Sequence, residues 1–190
     1  MYKKQTSTVA LQSQKWIAQA LLQLLEQYSF KEITITQICL EAGLARKTFY
    51  RNFRTKEDII HYIIDQLFLS FQTVFDIRTT PPLEIFTHYY EYWAKEKRLL
   101  TILHRDELFY LLTRKYVEYV DSVNLYFIQS QNGTFAELES YAVRFIAGGM
   151  VSILEHWLEC GFKEPIDKLT QLTETLLLSA NMYLSSSHLD

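Results

Sequence analysis

Apolar residues recur every three or four positions along most of this sequence, the spacing that places side chains on one face of an α-helix. The first such segment lies between Ser13 and Tyr28 and predicts an amphipathic helix. Glycine and proline, which interrupt helices, number only 5 and 3 in 190 residues. The sequence therefore predicts an all-α fold and disfavours a β-sandwich or a disordered chain.

A short helix, a glycine and a second short helix are predicted next. Thr34 and Gln37 have the spacing of a capping box, which favours a helix starting at residue 35 and ending near 42. Gly43 follows, and glycine adopts the left-handed conformation that reverses a chain after a helix. A third helix over about 45–53 completes the pattern of a helix-turn-helix.

The third predicted helix has an apolar face and a basic face. Phe49 and Phe53 lie at positions i and i+4 and are expected in the core. The opposite face carries side chains that can reach bases and phosphates: Arg46, Lys47, Tyr50, Arg51 and Arg54. Since the major groove of B-DNA admits one α-helix, this face is a candidate DNA-reading surface. The alternative is a three-helix domain with a solvated basic face.

The remaining sequence is helical with clear breaks. Thr55 and Asp58 are a second cap pair and begin a long helix that ends before Pro81-Pro82. Further helices are predicted at about 82–96, 98–104, 106–130, 135–160 and 165–185. We therefore expect an N-terminal domain over 1–55 and a helical bundle over 56–190.

Charge is distributed unevenly along the chain. Residues 1–60 hold nine basic and five acidic residues, a net charge of +4, whereas the remainder carries −7. A basic N-terminal domain on an acidic body indicates that only the N-terminal domain meets a polyanion such as double-stranded DNA.

Residues 35–58, ITQICLEAGLARKTFYRNFRTKED, closely resemble the DNA-binding domain of TetR-family transcriptional regulators. The matching positions are Ala42-Gly43, Thr48, Tyr50 with Phe53, and Lys56-Glu57. The resemblance implies a cytoplasmic homodimer that represses transcription until a small molecule binds its helical body.

The resemblance also implies roles for individual residues. Thr48 and Tyr50 are expected to contact the DNA backbone or bases, and Lys56 is expected to meet a phosphate. Arg46, Lys47 and Arg51 are candidates for groove or backbone contacts. The start of a helix independently favours an anion near Lys56.

Two residues depart from the family pattern. Ala45 stands where a serine commonly caps the third helix, and loss of that cap costs about 1 kcal/mol. Lys47 replaces a small residue and adds a charge facing the groove, which predicts an unusual base preference.

The last two predicted helices are candidates for a dimer interface. Apolar residues between Leu138 and Leu158 cover more than one stripe, and Gly148-Gly149 would allow close approach of helices. The segment 147–161 is also similar to a C-terminal subgroup of the family. We expect a four-helix interface with a second chain through Phe145, Gly149, Ile153, Trp157, Leu172 and Leu176. The alternative is that both stripes are the core of a monomer.

The middle of the chain is rich in aromatic residues, which line ligand sites between the helices of a bundle. The candidate site for a small apolar or aromatic effector comprises Phe71, Tyr89, Trp93, His104 and Tyr119. The alternative is that these aromatic residues are ordinary core.

Several other classes of protein are disfavoured. Cys39 and Cys160 are too few for a disulfide framework, and without a signal peptide they indicate a reducing cytosol. No apolar run approaches the roughly 18 residues that span a membrane. His156 with Cys160, and His61 with Asp65, share helix faces but lack further metal ligands. No catalytic motif or cofactor-binding motif is found.

The sequence thus predicts a sequence-specific DNA-binding regulator, a ligand-responsive repressor that acts as a homodimer on a palindromic operator. The alternative is a TetR-like coregulator that acts through a protein partner, with weak or lost DNA binding. A small helical enzyme is a third class, but it would need converging polar residues that the sequence does not display.

Overall fold

A computed structural model of the chain describes residues 2–73, 79–122 and 139–185. Within these ranges the protein is all-α, as predicted, with no β-strand. The nine helices of the described residues are α1 (Thr8–Leu24), α2 (Ile35–Glu41), α3 (Arg46–Asn52), α4 (Glu57–Gln72), α5 (Pro82–Lys95), α6 (Lys97–Arg105), α7 (Phe109–Ser122), α8 (Glu139–Glu159) and α9 (Ile166–Ser185). The parts of the predicted helices 106–130 and 135–160 that fall at 123–138 lie outside the described residues.

The chain divides into two compact units between Leu67 and Phe68. This division falls inside α4, whereas the boundary expected from the sequence, between residues 55 and 56, precedes α4. The expected boundary at residue 55 assigns all of α4 to the second unit. In the structure, the first part of α4 belongs to the first unit and the part from Phe68 onward belongs to the second.

The first unit is a small helical domain around an apolar core. Its completely buried side chains include Ile17, Leu21, Ile38, Phe49 and Phe53. The predicted start of α1 at residue 13 was wrong, because the helix begins at Thr8 after the N-cap Ser7. The first turn, 8–11, contains the apolar residues Val9, Ala10 and Leu11, of which only Ala10 is buried, so these residues do not extend the buried stripe of the helix.

The second unit is a helical bundle in which α7 packs against α8, and α5 packs against α9. Its core is strongly aromatic, with Tyr89, Tyr90 and Trp93 of α5 all buried. The Tyr90 hydroxyl lies 2.5 Å from Thr173 Oγ1, a buried hydrogen bond that joins α5 to α9. Buried polar groups need such partners, so this bond satisfies both hydroxyls inside the core.

Among the described residues, no helix has the length and apolar character needed to cross a membrane. The same part of the chain contains no group of three or more His, Cys, Asp or Glu side chains arranged to hold a metal ion.

Candidate DNA-binding surface and ligand cavity

The helix-turn-helix predicted from the sequence is present as α2, a glycine turn and α3. Thr34 Oγ1 accepts a hydrogen bond from the Gln37 N–H at 3.2 Å, and Gln37 Oε1 accepts one from the Thr34 N–H at 2.9 Å. Gly43 has φ of 63°, and the Leu44 N–H then donates to the Cys39 carbonyl at 2.9 Å. The predicted capping box and glycine turn are therefore confirmed.

The two faces of α3 are well separated. Phe49 and the following Phe53 are completely buried, which anchors the helix in the core of the first unit. The predicted DNA-contacting side chains Arg46, Lys47 and Arg51 are exposed, Tyr50 is 46% exposed and Thr48 is half-buried. Five of the six predicted DNA-contacting residues thus lie on one short helix.

Arg46 and Tyr50 contact each other on the exposed surface of α3. The Arg46 guanidinium donates to the Tyr50 hydroxyl at 3.4 Å and lies 5.9 Å from the centre of the Tyr50 ring. The Tyr50 ring also packs edge-on against Phe49, with ring centres 5.4 Å apart. This chain of contacts limits the positions open to both side chains before any DNA is bound.

The start of α3 lacks a side-chain cap. Ala45 occupies the N-cap position in extended geometry, and no side chain accepts a hydrogen bond there. The Thr48 N–H donates to the Ala45 carbonyl at 2.8 Å instead. No side chain therefore accepts a hydrogen bond from the first N–H groups of α3. Their acceptors must be backbone carbonyls, solvent or a molecule bound at the helix start.

Lys56, predicted to meet a phosphate, is engaged within the protein. Its ammonium donates to the backbone carbonyls of Phe30, Lys31 and Ile33 in the connection between α1 and α2. It also lies 4.6 Å from the centre of the Phe30 ring. An ammonium has three donors, so a phosphate would compete with these carbonyls for Lys56.

A cavity lies among the helices of the second unit. It encloses about 520 Å³ of space between side chains, counting its opening to solvent. The lining residues are Phe71, Ile85, Phe86, Tyr89, Tyr116, Tyr119, Val120, Ile146, Met150 and Leu177. None of these residues carries a charged group, and the volume open to a bound molecule in this conformation is small, about 40 Å³.

The polar groups of this cavity are tyrosine hydroxyls. Tyr116 and Tyr89 share a hydrogen bond, and the Tyr89 hydroxyl donates to the Met150 carbonyl at 3.2 Å. Burial raises the pKa of both tyrosines well above 10. Both phenols therefore remain neutral at physiological pH.

The predicted effector residues do not all meet at the cavity. Phe71, Tyr89 and Tyr119 line it. Trp93 is buried behind them, with its ring centre 6.4 Å from that of Tyr89. His104 is on the surface, where its Nδ1 lies 3.2 Å from a carboxylate oxygen of Glu155. Aromatic composition does not distinguish a lining residue from a core residue, and Tyr116 was missed for that reason.

The residues predicted for a dimer interface fall into two groups. Phe145, Leu172 and Leu176 are 72%, 48% and 53% exposed, Gly149 is exposed and Ile153 is half-buried. Trp157 is only 4% exposed and packs against Tyr90 and Phe162 of its own unit. Its indole N–H donates to the Glu164 carbonyl at 3.0 Å, so Trp157 belongs to the core of the chain.

The two units together define a class of protein, a helix-turn-helix DNA-binding domain joined to a helical regulatory body. Residues 17–63 match the sequence model of bacterial regulatory proteins of the tetR family. Residues 81–179 match the model of a transcriptional regulator C-terminal region of the same family. The chain belongs to the TetR family and is a DNA-binding transcriptional regulator.

Solved structures share this fold. Lin0861 from Listeria innocua is similar at a TM-score of 0.72 with 17% identity, over 96% of this chain and 97% of that chain. A TetR transcriptional regulator from Streptococcus agalactiae 2603V has a TM-score of 0.65 with 19% identity, over 89% and 95%. The dihydroxyacetone kinase operon activator DhaS has a TM-score of 0.59 with 18% identity, over 90% and 96%. No curated protein matched the sequence.

Proposed function

We propose that the protein is a ligand-responsive repressor that binds a palindromic operator as a homodimer. The observation that carries this proposal is the exposed basic face of α3, anchored from behind by two buried phenylalanines. A recognition helix needs both features, because a mobile helix cannot hold a fixed register on the bases.

The proposed DNA contacts divide into two kinds. We assign Lys47, exposed in the first turn of α3, to base edges, since residues near the start of a recognition helix contact bases in the groove. Tyr50 and Arg51 are placed to contact phosphates at the groove wall, with Arg46 and Thr48 as further groove contacts. Lys56 would reach a phosphate only by giving up carbonyl partners, so its part in DNA binding is secondary in this proposal.

We propose that a second copy of the chain buries the exposed apolar side chains of α8 and α9. Phe145 and Leu176 expose most of their surface, and Gly149, also exposed, allows a neighbouring helix to approach closely. A two-fold arrangement would present two α3 helices to successive major grooves about 34 Å apart. A palindromic operator follows from that symmetry.

The cavity of the second unit is the proposed effector site. The described residues of its lining carry no charged group, which favours a neutral apolar or aromatic molecule and disfavours an anion that would lose its hydration. Such a ligand would release DNA only to the extent that it binds the DNA-free conformation more tightly.

The direct test is selection of random duplex DNA by the ligand-free protein, followed by binding measurements on the retained sequence. A retained palindrome supports the proposal, and Lys47→Ala should then weaken binding to it by at least 10-fold. Lys95→Ala, an exposed lysine of α5, is the matched control and should leave affinity unchanged.

Selection without enrichment by a folded dimer would contradict the proposal and support the coregulator alternative. The uncapped start of α3 is the observation that favours this alternative, because a less stable recognition helix reads DNA less well. Capture of a protein partner by the same dimer would then be the next measurement.

A further inference from the structure

The N-terminal arm, residues 2–6, folds back onto the recognition helix instead of extending from α1. The Lys3 N–H donates to the Asn52 carbonyl at 3.1 Å, and Gln5 Nε2 donates to the Arg51 carbonyl at 3.2 Å. These carbonyls belong to the last two residues of α3. The arm therefore satisfies acceptors that a helix end leaves open.

The arm is also fixed to α1 and α4. Gln14 of α1, 1% exposed, donates from Nε2 to the Lys3 carbonyl at 2.8 Å. The Tyr2 ring packs edge-on against Tyr62 of α4, with ring centres 5.3 Å apart, and lies 6.0 Å from the ring of Phe53. Burial and a hydrogen bond to Asp65 raise the pKa of the Tyr2 phenol, so this anchor is neutral at physiological pH. The arm thus has a defined position without DNA.

These anchors use the backbone, Tyr2 and Gln5, and leave the side chains of Lys3 and Lys4 exposed. Arg51 and Arg54, at the end of α3 and just after it, are exposed as well. The sequence holds no acidic residue before Glu26. Four exposed basic side chains, Lys3, Lys4, Arg51 and Arg54, therefore surround the end of α3, whereas the nearby carboxylates of Asp58 and Asp65 accept hydrogen bonds from Arg54 and Tyr2.

The length of α3 places this basic region close to any DNA that the helix enters. Seven residues at about 1.5 Å each give a helix about 10 Å long, shorter than the roughly 12 Å width of the major groove. When the start of α3 contacts bases, we expect its end to lie near a wall of the groove, which is lined by phosphates. The arm holds Lys3 and Lys4 at that same end of α3, and both side chains are long and exposed.

We propose that the arm is a second DNA-binding element, in which Lys3 and Lys4 contact phosphates beside the end of the recognition helix. This inference rests on DNA binding by α3, and it goes further by adding contacts from outside the helix-turn-helix. The anchored arm binds without the ordering entropy that a flexible tail would lose.

The test compares the full-length protein with the variant Lys3→Ala/Lys4→Ala on the duplex retained by selection, over a series of salt concentrations. Two lost phosphate contacts reduce the slope of log affinity against log salt by about 1.8, which is about 60-fold in affinity at 0.1 M salt. Lys95→Ala/Lys163→Ala removes two exposed lysines from the second unit and should leave the slope unchanged. An unchanged slope for the arm variant, with the wild-type protein binding normally, would overturn the proposal.

A second variant separates direct contact from simple capping. Tyr2→Ala removes the anchor, so it should weaken DNA binding at least several-fold in the wild-type background. The same change should have little effect when Lys3 and Lys4 are already alanine. Equal effects in both backgrounds would show that the arm only stabilises α3. Failure of the wild-type protein to bind any duplex would instead overturn the proposed function itself.

Discussion

The ammonium of Lys56 lies 2.8 Å from the carbonyl oxygen of Ile33, just before the cap of α2. The same ammonium donates to the carbonyls of Phe30 and Lys31, so the residue preceding α4 holds the connection between α1 and α2 in place. This contact couples the start of the helix-turn-helix to the start of α4 and is independent of DNA.

Replacing this lysine should destabilise the protein. Lys56→Ala removes three hydrogen bonds to backbone carbonyls, two of them part-buried, and we expect a loss of about 2 kcal/mol in the free energy of unfolding. Urea denaturation monitored by circular dichroism measures this free energy for the variant and the wild type. A stability within about 0.5 kcal/mol of wild type, as for an ordinary surface substitution, would contradict this.

The same variant tests whether Lys56 also meets a phosphate. The family resemblance implies such a contact, and its loss should reduce the salt slope of DNA binding by about 0.9. Lys95→Ala, an exposed lysine of α5, is the control and should leave both the salt slope and the free energy of unfolding unchanged. An unchanged slope for a folded Lys56→Ala would restrict this lysine to its structural role.

Restoring the missing cap of α3 should stabilise the first unit. Ala45 has the extended backbone of an N-cap residue, so Ala45→Ser supplies a hydroxyl that can accept from an N–H of the first turn. We expect the free energy of unfolding to rise by about 1 kcal/mol in urea denaturation. Ala45→Val supplies no hydroxyl and, like alanine, is a poor N-cap residue, so it should not reproduce this gain, and a rise in both variants would point to another cause.

The helix-turn-helix was predictable from the sequence because its signals are local. A threonine, a glutamine three residues later and a glycine after one short helix fix the backbone without help from distant residues. The N-terminal arm was not predictable, because Tyr2 and Lys3 are held by α3, α4 and Gln14 of α1, which are distant in sequence or specified by no local motif. The structural contacts of Lys56 were not predictable either, since its carbonyl partners lie 23 to 26 residues away in the sequence.

The second unit shows a different limit of sequence interpretation. Helical periodicity identifies apolar stripes but does not say which of two stripes on a helix faces the chain's own core. Trp157 and Phe145 were assigned to the same interface, yet the first is 4% exposed and the second 72%. The distinction arises from packing against Tyr90 and Phe162, which the sequence of α8 does not contain.

The two buried cavity tyrosines should make stability fall at alkaline pH. Burial raises the pKa of Tyr89 and Tyr116 in the folded protein, while unfolding returns both to about 10. Below pH 10 both states are protonated and the effect is absent. Above pH 10 only the unfolded state releases these protons, so each tyrosine lowers the free energy of unfolding by about 1.4 kcal/mol per pH unit.

Urea denaturation at a series of pH values measures this dependence. Tyr116→Phe should reduce the slope of the free energy of unfolding against pH by about 1.4 kcal/mol per pH unit, the contribution of one proton. Tyr110→Phe, which alters an exposed tyrosine of α7, should leave this slope unchanged. The same steepness in wild type and Tyr116→Phe would show that Tyr116 ionises in the folded protein.

The dimer proposal predicts opposite results for the two groups of residues on α8 and α9. Phe145→Glu and Leu172→Glu place a carboxylate on an exposed apolar surface, which leaves the monomer folded but puts an unpaired charge in the proposed interface. A cost of about 3 kcal/mol raises the dimer dissociation constant by at least about 100-fold, which sedimentation over a concentration series measures. Tyr110→Glu, an equally exposed position on α7, is the control and should sediment as wild type. Trp157→Ala should instead lower the free energy of unfolding by about 3 kcal/mol, since it empties part of the core. Dimers that persist in both Phe145→Glu and Leu172→Glu would exclude this surface as the interface.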